Sequence, residues 1–143
     1  LHGVSYRLDT FLRLQRKRGS GRVIGFIADP EGGDVFFHAK RHGLIGKRSG
    51  YSAVSAVDAV RIIATALQAD FAYRHKLRSE AQAARMAADV FDQVFAGCST
   101  FYSNGSLGLG GSQWSPATEA TFDTGVLGVG PERCSCVWFL DED

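Results

Sequence analysis

The segment from Arg22 to His38 places aromatic rings, a histidine and flanking cations within a short stretch of chain. It runs Arg-Val-Ile-Gly-Phe-Ile-Ala-Asp-Pro-Glu-Gly-Gly-Asp-Val-Phe-Phe-His, a pattern typical of a tight β-hairpin. Rings on one face of paired strands can stack on nucleobases, while neighbouring cations hold phosphates. The same pattern also suits an ordinary hairpin whose aromatic face packs in the core.

The charges are distributed unevenly along the 143 residues, although the formal net charge is only +1. Residues 1–48 hold ten Lys and Arg against four Asp and Glu, and residues 49–143 hold six against eleven. A basic half of this kind can attract phosphate or an acidic partner. The two halves can equally attract each other, within one chain or across a dimer, and the charges alone do not choose between these alternatives.

The segment Gly25–His38 resembles the cold-shock domain family of single-strand nucleic-acid binders. Its first three residues, Gly-Phe-Ile, match the end of that family's first motif, and its last five, Asp-Val-Phe-Phe-His, match the second. The resemblance covers this segment alone. It implies that Phe26, Phe36 and His38 stack on bases and that Arg22 contacts phosphate.

We therefore hypothesise a small non-enzymatic binding protein whose partner is single-stranded nucleic acid, which requires Phe26 and Phe36 to be exposed on one sheet face. The alternative is a protein–protein interaction module, either immunity- or antitoxin-like or a homodimeric scaffold. It requires an exposed apolar patch on the helices of residues 55–95 or around Trp114 and Trp138. The residues assigned to nucleic-acid binding are Arg16, Lys17, Arg18, Arg22, Phe26, Phe36, His38, Lys40 and Arg41.

The sequence predicts neither a metal ion nor a cofactor. Histidines at positions 38, 42 and 75 could join Cys134 and Cys136 as ligands, but a Cys-x-Cys pair lacks the two-residue spacing of a zinc knuckle. Small buried apolar groups are the better account of these two cysteines. Three cysteines are also too few for a disulfide framework, so we expect reduced thiols in a cytoplasm.

No local signature of catalysis is visible. The glycine-rich stretch at residues 104–113 follows no phosphate-binding pattern and contains no Lys or Arg, which predicts a flexible surface loop. Serine, histidine and aspartate all occur, but no nucleophile motif frames them. We expect a protein that acts by binding rather than as an enzyme.

The first 40 residues predict a three-stranded meander. Residues 4–14 alternate loosely between apolar and polar types, and residues 23–28 and 35–39 are short apolar runs. Residues 29–34 supply a proline and two glycines, which suit the turn between the second and third strands.

Two amphipathic stripes predict helices in the middle of the chain. Ser55 and Ser79 precede the stripes as N-caps, and Gly97 is a natural stop after the second. One continuous helix is the alternative, because no Gly or Pro lies between positions 51 and 96. The stripes differ in phase, however, so we place a break at Tyr73–Arg78.

The last third predicts strands at residues 100–103, 125–129 and 134–140, the last two forming a hairpin. Both faces of the final strand are apolar, which is typical of a covered central strand. The predicted fold is a single α+β domain over residues 1–143. An antiparallel sheet from N- and C-terminal strands carries one long or two shorter helices on one face. The C-terminal segment also looks like the ends of small bacterial proteins, some carried on mobile gene cassettes.

The composition excludes two classes of protein. The apolar fraction of 45% is too high for a disordered chain. No apolar run approaches the ~20 residues that a membrane span needs, and no secretory signal is visible. We expect a cytoplasmic protein without a membrane partner, whose partners are nucleic acid, another protein or a second copy.

Overall fold

The structure, a computed structural model, describes residues 10–17, 21–44 and 47–142. Within these residues four helices accompany a five-stranded antiparallel sheet, so the predicted α+β class is confirmed. The helices are α1 (residues 10–17), α2 (Val35–Arg41), α3 (Ala56–Gln68) and α4 (Glu80–Val94). The strands are β1 (Arg22–Ala28), β2 (Ser52–Val54), β3 (Thr100–Ser103), β4 (Phe122–Val129) and β5 (Cys134–Asp141).

The sheet has the strand order β1-β5-β4-β3-β2, so the first strand lies beside the last. Phe26 of β1 is opposite Cys136 of β5, and Val137 of β5 is opposite Val126 of β4. The predicted C-terminal hairpin is confirmed, and the amide of Gly130 closes its turn by donating to the carbonyl of Arg133 at 2.9 Å. Every residue of β5 is buried, as expected of a central strand.

Side chains alternate between two cores on opposite faces of the sheet. Val137 and Phe139 lie in the larger core with apolar residues of α1, α3 and α4. Cys136 and Trp138 lie in the smaller core, which α2 and the residues around Ala117 cover. The predicted helical layer on one face is present, and α2 adds a short helix to the other face.

The capping residues define α3 and α4. Ser55 Oγ accepts from the amide of Asp58 at 3.1 Å, and Ser79 forms a reciprocal capping box with Gln82. Because α3 ends at Gln68 and α4 begins at Glu80, the two-helix alternative is the correct one. The predicted break lies within this gap.

The third predicted strand is wrong, because residues 35–41 form α2. The Asp34 carboxylate accepts from the amide of Phe37 at 2.8 Å, which caps the first turn. Val35, His38 and Ala39 are buried, and their spacing of three and four residues is that of one helix face. The β-favouring run Val-Phe-Phe indicated a strand, but the cap and the buried helical face decide the conformation.

The predicted strand at residues 4–14 is also wrong where it can be compared. Residues 10–17 are helical, and residues 4–9 lie outside the described residues. The side chain of Gln15 binds the start of β1, donating to the carbonyl of Gly21 at 2.6 Å and accepting from the amide of Val23 at 2.8 Å. The ring of Phe11 packs on Gly25, where a Cβ would lie 2.2 Å from a ring carbon. Helix α1 therefore covers the outer edge of the sheet.

The glycine-rich stretch at residues 104–113 lies partly at the surface, where Gly105 and Gly110 are exposed, and is partly packed. Leu107 and Gly108 are buried, and a Cβ on Gly108 would lie 2.7 Å from Cγ2 of Ile62 in α3. Glycine suits this position because the loop backbone packs directly on the Ile62 side chain, which leaves no room for a Cβ.

No helix in the described part of the chain has the length and apolar character needed to cross a membrane.

Candidate ligand-binding surface

Two of the rings predicted to stack on bases lie in the core. Phe26 is 4% exposed and His38 is 9% exposed. The Phe26 ring stacks on the ring of His42 with centroids 4.6 Å apart, and His38 Nε2 donates to the carbonyl of Asp29 at 3.2 Å. Neither ring offers a face to a base, so the expected stacking hairpin is absent. The reason is that α2 folds back over β1 instead of pairing with it as a strand.

The predicted cations are divided between the two faces of the sheet. Arg16 and Lys17 are exposed at the end of α1, on the side of α3 and α4. Lys40 and Arg41 are exposed on α2, on the opposite side. Arg22 is exposed at the start of β1. Arg18 lies outside the described residues.

The partly exposed ring of Phe36 is the centre of a cluster of residues from α2, from β3 and from the turn before β2. Its centroid lies 5.5 Å from Tyr51 and 5.3 Å from Tyr102 of β3. The guanidinium of Arg48 lies over the Phe36 ring at 4.9 Å, within cation–π distance. We call the patch built around this ring the aromatic–basic surface. Its residues are Phe36, Phe37, Lys40, Arg41, Lys47, Arg48, Tyr51 and Tyr102.

A second ring and cation lie beside the first pair on α2. Phe37 is 46% exposed, and the guanidinium of Arg41 lies 5.7 Å from its ring centroid. Phe36 and Lys40, like Phe37 and Arg41, are four residues apart and share a helix face. The helix therefore presents two adjacent rows, each with one ring and one cation.

Cations outnumber carboxylates at this surface, where the Asp34 carboxylate caps the amide of Phe37. Lys40, Arg41, Lys47 and Arg48 are all exposed, and residues 35–57 contain no Asp or Glu. The local charge of this stretch is therefore +4 with histidine neutral. Such a stretch favours an anionic ligand.

A buried polar network holds the aromatic–basic surface from below. Asp123 is 0% exposed, and its carboxylate accepts from Trp138 Nε1 at 3.0 Å, Asn104 Nδ2 at 2.9 Å and Thr118 Oγ1 at 3.0 Å. The amides of residues 117 and 118 donate to the same carboxylate. The Trp138 ring in turn contacts Tyr51 edge-to-face at 5.7 Å. Asp123 therefore fixes Trp138, which supports Tyr51 beneath Phe36.

Burial raises the pKa of Tyr51 from its ordinary value of 10 to about 12, and the nearby charges of Cys136 and Asp123 add to this rise. Between pH 10 and about pH 12 the Tyr51 hydroxyl loses its proton in the unfolded state but keeps it in the folded state. The stabilisation is thus fully present below about pH 10 and is lost as pH rises toward about 12. The full shift corresponds to about 2.7 kcal/mol, and partial exposure of the ring reduces the expected loss to about 1 kcal/mol.

Urea unfolding at about pH 9 and about pH 11.5 checks this expectation. The loss of stability between the two pH values should be smaller in Tyr51→Phe than in the wild type. Tyr73→Phe removes the hydroxyl of an exposed tyrosine and is the control. If the wild type and Tyr51→Phe lost the same stability between the two pH values, Tyr51 would not be the cause of the pH dependence.

Burial disfavours the thiolate form of the three cysteines. Burial raises the pKa of Cys136 well above its ordinary value, and it also raises the pKa of Cys98 and Cys134. A thiol with a raised pKa is a poor nucleophile and a poor metal ligand at neutral pH. Among the described residues, no group of three or more His, Cys, Asp and Glu side chains could hold a metal ion.

Five residues of the aromatic–basic surface were not predicted from sequence, and four of them lie in residues 37–51: Phe37, Lys47, Arg48 and Tyr51. A signal for Phe37 was present, because it precedes Arg41 by four residues as Phe36 precedes Lys40. Tyr102 was missed as well, and β3 brings it to the surface through pairing with β2, opposite Ala53. That pairing is not visible in local sequence.

Comparison with protein-family models, curated proteins and solved structures found no match for this chain.

Proposed function

We propose that this protein binds single-stranded nucleic acid across the aromatic–basic surface. The main support for the proposal is the position of the Arg48 guanidinium over the partly exposed ring of Phe36. Both residues lie in the stretch 35–57, which contains four cations and no carboxylate. Rings and guanidinium planes accept stacked bases, and the surrounding cations neutralise phosphates.

The geometry favours a single strand over a duplex. Stacking on a protein ring requires bases that are free to leave their neighbours, as in single-stranded regions. Phe37 is the most accessible ring of this surface, and each stacked base contributes about 1–3 kcal/mol. Because every base has a π-face, the expected binding tolerates different sequences.

Fluorescence anisotropy with labelled oligothymidylate and oligouridylate tests the proposal. If the four cations each neutralise one phosphate, the affinity should fall by about 50-fold between about 50 and about 200 mM salt. Phe37→Ala and Arg48→Glu should each weaken binding by about 10-fold or more.

Matched control variants lie away from this surface. Tyr73→Ala removes an exposed ring between α3 and α4. Arg61→Glu reverses an exposed cation on α3, over the other face of the sheet. Absence of binding at about 50 mM salt would contradict the proposal. An equal loss of oligonucleotide affinity in the surface variants and in the control variants would also contradict it.

A protein partner or a second copy is the alternative function. Val57 is 71% exposed at the start of α3, next to the short outer strand β2, so these residues could form an apolar contact. Trp138, proposed from sequence as part of such a patch, is fully buried and cannot contribute. Sedimentation velocity of the wild type distinguishes a monomer from a homodimer.

We also infer a reducing compartment such as the cytoplasm. Cys98, Cys134 and Cys136 are all free thiols, as is usual where glutathione keeps cysteines reduced. Thiol counting on protein extracted under alkylating conditions would test this location.

A further inference from the structure

A long trough runs between α1 and α4, on the opposite side of the sheet from the aromatic–basic surface. One part, with a volume of 280 Å³, lies between Leu14 of α1 and Val90 of α4. A second, more open part of 630 Å³ extends toward Arg85. Both parts are lined by Lys17, Met86 and Asp89, so they adjoin.

The walls of the trough are predominantly basic. Its exposed charged side chains are four cations and one carboxylate, namely Arg13, Arg16, Lys17, Arg85 and Asp89. Arg78 also lines it, but its guanidinium donates to the carbonyls of Leu67 and Lys17 and so joins α1 to the end of α3. The four exposed cations give the walls a charge of +3 after Asp89 is counted.

The floor of the trough is apolar and contains no ring among the residues that line either part. Leu14 and Val90 are buried, and Met86 is partly exposed. Methionine is flexible and adapts to different apolar side chains. Without rings the trough offers no stacking platform for nucleobases. An apolar floor between cationic walls instead complements a chain that carries both apolar and acidic side chains.

We propose that this trough binds a short acidic polypeptide segment of a partner protein, with apolar side chains on the floor and carboxylates against Arg13, Arg16 and Arg85. The stretch of α4 from Gln82 to Gln93 is about 17 Å long, which accommodates two to three turns of an amphipathic helix. This proposal is independent of nucleic-acid binding, because the two surfaces cover opposite faces of the sheet and share no residue.

Titration of the full chain with a labelled twelve-residue peptide tests this proposal. The probe repeats Glu-Glu-Leu-Leu, and a second peptide with Lys in place of Glu keeps the apolar pattern and reverses the charge. We expect the acidic peptide to bind at least 10-fold more tightly than the basic peptide, with an affinity that falls as salt rises. Arg85→Glu should weaken its binding about 10-fold or more, and Met86→Gln should weaken it without changing charge.

The matched control is Arg61→Glu, which reverses an exposed arginine on α3 outside the trough and should leave peptide binding unchanged. Equal affinity for the two peptides would overturn the proposal, as would an acidic peptide that binds Arg85→Glu as tightly as the wild type. Displacement of the peptide by oligothymidylate, with both ligands lost in Arg85→Glu, would assign the trough to nucleic acid instead. A dimer that Met86→Gln dissociates, without peptide binding, would assign it to a second copy.

Discussion

Replacing Asp123 with asparagine is expected to lower the free energy of unfolding by about 3 kcal/mol. The carboxylate is fully buried and accepts hydrogen bonds from five donor groups. An amide at this position has only one acceptor oxygen, and its own NH₂ would face donors such as Trp138 Nε1. Buried donors without acceptors cost about 1–3 kcal/mol each.

Urea unfolding followed by far-UV circular dichroism measures this loss. The near-UV signal of Trp138 should change as well, because its indole loses a fixed partner. Asp92→Asn makes the same chemical change at an exposed position of α4 and should cost less than about 0.5 kcal/mol. Similar midpoints for the two variants would show that Asp123 is dispensable.

Replacing Gly125 with alanine is expected to destabilise the fold by about 3 kcal/mol or more. A Cβ at this position would lie 2.2 Å from the carbonyl oxygen of Val137 and 2.6 Å from Cα of Trp138. Both contacts are to the backbone of β5, which β1 and β4 hold on either side. The strand cannot move away without breaking its pairing on both edges.

The same substitution at Gly32 provides the control. A Cβ there would lie 3.6 Å from the nearest atom of His38, an ordinary van der Waals distance. Thermal unfolding should therefore place Gly32→Ala near the wild type and Gly125→Ala far below it. A wild-type melting temperature for Gly125→Ala would mean that the β4–β5 pair relaxes more readily than its packing suggests.

Those parts of the fold that depend on local signals were predictable from sequence. Ser55 and Ser79 cap α3 and α4 as expected, and the phase difference between the two stripes located the break. The alternation along β5 indicated a strand covered on both faces. In each case the residues that carry the signal are neighbours in the chain.

Elements decided by competing signals were mispredicted. Residues 35–39 are rich in β-favouring side chains, yet Asp34 caps a helix whose buried face is Val35, His38 and Ala39. Residues 10–14 alternate between apolar and polar types as a strand would. They belong to helix α1, however, and Leu14 of this helix is buried in the larger core with residues of α3 and α4. Tertiary burial outweighs intrinsic preference in both segments.

The candidate surface was predictable only in part, for the same reason. Lys40 and Arg41 were proposed from residue type and Phe36 from the family resemblance, and the three lie together on α2. Phe26 and His38 were proposed from the resemblance, and the helix buries them. Tyr51 and Tyr102 come from elements far apart in sequence, which only the folded sheet brings beside Phe36.

The position of β1 at the edge next to β5 has a consequence for synthesis on the ribosome. Ala28 pairs with Cys134, so β1 gains its partner strand only after a further 106 residues have been translated. Pairing over such separations is slow, and an unpaired apolar strand can capture another nascent chain. The side chain of Gln15, made just before β1, occupies the carbonyl of Gly21 and the amide of Val23. Residues 10–28 thus shield part of the outer edge of β1, whereas the edge that pairs with β5 stays open until Cys134–Asp141 have been translated.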